Sequence, residues 1–65
     1  MITFKSDSRL FYANNQDIAN GDHLPNEKGC ITENKIKLLN GDILLNVETL
    51  DMYLYDKELK KWNLV

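Results

Sequence analysis

The chain has 65 residues, 43% of them hydrophobic, with eight Lys and Arg against ten Asp and Glu and a net charge of −2. That length allows one small domain spanning residues 1–65, and a chain of this size buries only about 60% of its unfolded surface. The apolar content argues against wholesale disorder, and the acidic balance gives no electrostatic reason to expect nucleic acid or an acidic membrane as partner.

The first residues, Met1 to Asp7, have neither a basic n-region nor an apolar h-region, so no secretory signal is expected here. No run is long and apolar enough to read as a membrane span. Cys30 is the single cysteine, which excludes an intramolecular disulfide and fits folding in a reducing cytosol. It reads as a small buried apolar residue, because no cation nearby in the sequence favours a thiolate.

Ile2 to Lys5 and Arg9 to Tyr12 alternate, or nearly so, and read as short strands around a polar break at Lys5-Ser6-Asp7-Ser8. Ala13 to Gly29 is turn-rich, with Asn14, Asn15, Asn20-Gly21-Asp22, Pro25-Asn26 and Gly29. Gln16 to Ala19 has room for one helical turn, too short to be stable alone.

The second half reads as a β-meander. Runs Ile36 to Leu39 and Asp42 to Val47 flank Asn40-Gly41, the dipeptide of a type I′ hairpin turn. Met52 to Tyr55 and Lys61 to Val65 follow after short polar breaks. The predicted fold class is therefore mainly all-β: an antiparallel meander of about four strands, preceded by short strands and a turn-rich loop.

Register sharpens the expectation. A two-residue loop at Asn40-Gly41 pairs Leu38 with Ile43 and Ile36 with Leu45. The following loops then pair Leu45 with Leu54, and Leu54 with Trp62. One face collects Ile36, Leu38, Ile43, Leu45, Val47, Met52, Leu54, Trp62 and Leu64, all apolar, and is the expected core. The other carries Leu39, Leu44, Tyr53 and Tyr55 among polar residues. Such a face is either covered by the N-terminal half or used against another chain; in the second case these four are the expected oligomer interface.

Catalytic and metal chemistry find little support. His23 with Asp22 and Cys30 falls short of the four ligands and paired spacings of structural zinc. Ser6, Ser8 and Cys30 stand in no nucleophile turn, and Asp22 with Glu27 is a generic carboxylate pair. Asn20-Gly21-Asp22 and Asn40-Gly41-Asp42 are turn formers without the oxygen-rich spacing of a calcium loop. Three glycines make no phosphate-cradling pattern. The reading is non-enzymatic, with no catalytic residues, no metal and no cofactor. Tyr53, Tyr55 and Trp62 have the chemistry to stack a sugar, although aromatics are common packing residues in sheets.

The stretch Val47-Glu48-Thr49-Leu50-Asp51-Met52-Tyr53-Leu54-Tyr55-Asp56, ending with Lys61-Trp62, resembles small proteins encoded in bacteriophage and prophage structural clusters. Leu24-Pro25 matches the Leu-Pro segment those proteins often carry upstream. The resemblance covers half to two thirds of the chain and leaves residues 1–20 unmatched; Val47-Glu48-Thr49 stands where Asp-Thr is commoner. It implies a virion or morphogenesis component made in the bacterial cytoplasm; some such proteins are head-fibre-like or virion-associated, and many have no assigned role. It also implies a homo-oligomer, a trimer before a dimer, with other virion proteins as partners and no active site. A glycan-binding β module and a phage-encoded inhibitor of a host protein are the alternatives.

Overall fold

The computed structural model describes all 65 residues, and the architecture is mainly β. Strands β1 (Thr3–Lys5) and β2 (Leu10–Ala13) form the N-terminal hairpin, with Lys5 opposite Leu10. Their polar break makes the turn, closed by Arg9 at φ 52°.

Helix α1 (Asn15–Asn20) follows directly and is too short to stand on propensity. Its ends hold it instead. The Asn14 side chain accepts the Asp17 N–H at 2.8 Å, and the Asp17 carboxylate accepts the Asn14 N–H at 3.0 Å, a reciprocal capping box. Gly21 closes the other end at φ 75°, in the left-handed conformation that glycine adopts without penalty.

Strands β3 (Ile43–Asn46), β4 (Met52–Asp56) and β5 (Lys61–Leu64) make an antiparallel meander, as the alternation predicts. The sheet they enter is mixed, with spatial order β1-β2-β3-β4-β5 and with β2 and β3 parallel. Residues 14–42 form the crossover that a parallel pair requires.

Three expectations are corrected here. Ile36 to Leu39 is not a meander strand. Its place beside β3 is taken by β2, and its residues join the connecting loop through a single bridge between Lys37 and Cys30. The Asn40-Gly41 turn exists, closed by the Asp42 N–H on the Leu39 carbonyl, but only Gly41 has positive φ, at 87°. That is the type II pattern rather than I′, and it redirects the chain instead of joining paired strands.

The third correction concerns the faces. Leu54 lies opposite Ile43 rather than Leu45, a slip of two residues that keeps each side chain on its side. Trp62 lies opposite Tyr55 rather than Leu54, a slip of one, and that moves it to the other face. The core is accordingly built on the face of Phe11, Leu44 and Tyr55, closed by Ile31 and Leu38 from the connecting loop. Phe4 and Trp62 pack at its margins, with the Phe11 and Trp62 rings edge to face at 6.1 Å.

The parallel pairing begins at an ion pair. Arg9 donates from Nε to one Asp42 carboxylate oxygen at 3.0 Å and from a terminal nitrogen to the other at 2.8 Å. The Asp42 carboxylate also accepts the Leu39 N–H, and the same Arg9 nitrogen donates to the Lys37 carbonyl. Asp42 is buried while Arg9 reaches water.

Arg9→Ala should therefore cost roughly 3 kcal/mol in chemical denaturation, because it leaves a buried carboxylate without its cation. A loss within experimental error would remove the pair from the account of the fold. Gly41→Ala meets no neighbouring atom at its new Cβ. Its cost is torsional alone, about 1–2 kcal/mol for a left-handed residue, and an unchanged melting temperature would contradict that conformation.

Candidate functional site

Sheet alternation gives this protein two unlike faces. Helix α1 and residues 21–42 gather on the face of Phe11 and Leu44. The opposite face, the outer face, carries Leu10 and Tyr12 from β2, Ile43 and Leu45 from β3, and Met52 and Leu54 from β4. These six make an unbroken apolar block across the three central strands. Met52 is 42% exposed and Leu54 45%, with the other four half-buried by their own neighbours. Val47, 48% exposed, extends the block just past the end of β3.

A polar rim frames the block. Thr3 and Lys5 stand on β1, with Asn63 and Lys61 on β5. Five strands about 4.8 Å apart give a face of several hundred Å², the size at which an apolar patch marks an interaction site.

Of the four residues expected at an interface, the structure leaves only Leu39 exposed. Leu44 and Tyr55 are buried in the core of their own chain, and Tyr53 packs half-buried against it. The physical reason is the sheet's other side: residues 21–42 cover the face that these side chains occupy. Of the exposed block, Ile43, Leu45, Met52 and Leu54 belong to the face expected as the core, because the expected register gathers them on one wholly apolar side; Leu10 and Tyr12 are expected only as strand residues.

The aromatic residues considered for sugar stacking face inward as well. The Tyr55 and Trp62 rings lie 4.9 Å apart against the core, and the Trp62 indole N–H donates to the His23 carbonyl at 2.8 Å. They brace the covering loop and present no open platform.

Asp17, Asp22 and Glu33 converge within 4.8 Å of one another, a grouping with no signature in sequence spacing. The Met1 ammonium sits on Asp17, and the Ile2 N–H donates to Glu33 at 2.6 Å, so this charge is met from within the chain. The ammonium holds the Asp17 carboxyl below the usual carboxylate range, helped by the Asn14 N–H against the cost of burial. Asp22 and His23 do not join with Cys30 into a ligand set.

No helix is long and apolar enough to cross a membrane. Comparison with protein-family models, with curated proteins and with solved structures finds no match to this chain.

His23 carries a pH dependence. Its Nδ1 is buried without a hydrogen-bond partner, and burial lowers its pKa, partly offset by Asp22. The unfolded chain therefore takes up this proton first as pH falls. The associated stability is present above the ordinary histidine value near 6.5 and is lost as pH drops through the folded value. Thermal melts should show stability declining between about pH 7 and pH 5 in the native chain and a flatter profile in His23→Gln. Identical slopes in the two proteins would assign the decline to other groups.

Proposed function

We propose that this protein is a non-enzymatic association module that works through the outer face of its sheet. The observation carrying this reading is the unbroken block of Leu10, Tyr12, Ile43, Leu45, Met52 and Leu54, which nothing in the chain covers. A chain with a small core gains stability from any partner that binds its folded state.

The edges of the sheet favour the face as the contact. Strands β1 and β5 are three and four residues long, each with a lysine on the outer side, Lys5 and Lys61. Short, charged edge strands resist edge-to-edge pairing. A flat apolar face is satisfied by a second copy related by a two-fold axis, with sheets about 10 Å apart as in β-sandwiches. Geometry of this kind favours a dimer over the trimer that the phage resemblance implies. The face is smaller than the roughly 800 Å² per partner of a stable complex, so the dimer is one that forms with rising concentration.

The resemblance to phage and prophage structural proteins supplies the setting: a virion or morphogenesis component whose self-association is part of assembly. Mass spectrometry of purified virions tests that setting separately from the contact.

Sedimentation of the native chain from about 1 to 100 μM should show mass rising toward a dimer. Leu54→Lys should shift the midpoint at least about tenfold, as expected for a charge facing an apolar partner. Leu54 is exposed, so the variant should keep its fold in dilute solution. A monomer across the whole range, with Leu54→Lys indistinguishable from it, would remove self-association from this reading.

A further inference from the structure

A second site stands on the covered side of the sheet. Four lysines, Lys28, Lys37, Lys57 and Lys60, line one cleft of about 180 Å³, with Glu27 the single carboxylate among its lining residues. In a chain of net charge −2 this is a local excess of positive charge. None of the four is neutralised: the two ion pairs of the chain are made by Met1 and Arg9. Asp56 and Glu58 open onto the neighbouring groove at Asn40-Gly41, which Lys57 also borders.

Tyr55 lines the same cleft. Its side chain is almost wholly buried, at 3% exposure, yet its hydroxyl makes no hydrogen bond within the chain, whereas the Trp62 indole beside it has its partner. His23 Nδ1 is the one sealed side-chain polar atom without a partner, so the Tyr55 hydroxyl reaches solvent and is open to a ligand. Burial together with Asp56 raises the Tyr55 pKa, so the phenol keeps its proton and donates.

The cleft is built by elements that other parts of the fold fix. Asn26 holds the loop in shape: its side-chain oxygen accepts the Lys28 and Cys30 N–H groups, and its backbone bonds Cys30 and Gly29. The Leu38 N–H on the Gly29 carbonyl ties Lys37 to this loop, and the β4–β5 turn brings Lys57 and Lys60 to the far wall. Four cations are thus gathered from three separate segments, with Glu27 the one carboxylate lining the cleft to offset their mutual repulsion.

We propose that this cleft binds a soluble phosphoryl compound carrying adjacent phosphates, of about the size of pyrophosphate, with the four lysines around it and the Tyr55 hydroxyl donating to one oxygen. Cleft size and donor type select this class. Drug-sized ligands occupy about 300–1,000 Å³, which this cleft does not reach. Recognition of a planar carboxylate favours arginine, and the single Arg9 is committed to Asp42. Lysine ammoniums, as compact charges with rotatable donors, suit a tetrahedral group approached from several sides. The site is independent of the outer face and stands or falls without it.

The test is a titration of the ¹⁵N-labelled full chain with sodium pyrophosphate at fixed ionic strength, with orthophosphate and citrate in parallel. Saturable shifts are expected at residues 26–30, 37–38 and 55–60, with a dissociation constant below about 1 mM and the order pyrophosphate, then orthophosphate, then citrate. Lys37→Glu and Lys57→Glu, both at exposed positions, should each weaken binding about tenfold or more, as for loss of a charge-assisted contact. Tyr55→Phe keeps the packing and should weaken binding severalfold; Lys5→Glu, on the remote edge strand, should leave it unchanged.

Linear shifts spread over all lysines, or an equal effect of Lys5→Glu, would reduce the site to general electrostatics and overturn the proposal. Binding to phosphatidic acid vesicles with no response to pyrophosphate would overturn the assignment to a soluble ligand.

Discussion

The bidentate pair of Arg9 and Asp42 is the interaction from which the rest of this architecture follows. Arg9 ends the first turn and Asp42 ends the long connection, so their contact sets the starts of β2 and β3 side by side and pointing the same way. The Ile43 N–H on the Arg9 carbonyl continues that alignment into the sheet. Once β2 lies beside β3, no hairpin partner can reach that edge, and residues 36–39 are displaced into the covering loop. The pair also holds the Asn40-Gly41 turn through Leu39. A carboxylate this buried demands full hydrogen bonding, and it receives three donors from Arg9 and Leu39.

Local patterns in the sequence carry the elements well. Alternation finds β1, β2, β4 and β5, the polar break at residues 6–8 marks the first turn, and residues 16–19 are helical as their spacing allows. Asn40-Gly41 is correctly a turn. Its conformation and purpose are set by a partner far along the chain, for an isolated dipeptide carries no record of where the next segment pairs. The Arg9–Asp42 contact joins residues 33 positions apart, and neither has a local motif to announce it.

The interface expectation has a different origin. Residues 43–47 and 52–55 are apolar at nearly every position, so alternation alone does not decide which side faces inward. The expected register is counted outward from the Asn40-Gly41 turn, and a shift of one residue at the β4–β5 turn carries Trp62 off the face of Leu54 and onto that of Tyr55. Tertiary structure settles the matter: Ile31 and Leu38, from a segment without strands, cap Phe11, Leu44 and Tyr55, while Leu45 and Leu54 receive no such cover. The site was legible as a patch of apolar strands and illegible as to which half of that patch is free.

The connecting segment 21–42 does the work of a second layer without a second sheet. Asn26 and Asn34 side chains close its turns, two lone bridges link it to itself, and the His23 carbonyl fastens it to Trp62. A layer assembled from side-chain-capped turns covers one face, and in doing so gathers its lysines against those of the β4–β5 turn. The outer face and the lysine cleft therefore lie on opposite sides of the same sheet, separated by one layer of strands. Tyr55 reaches the covered side while its neighbour Leu54 reaches the outer one. A ligand that fills the cleft would neutralise charge on the covering layer without competing for the face proposed to pair two copies. Any coupling between the two must pass through β4 itself, which contributes Met52 and Leu54 to the outer face and Tyr55 to the cleft.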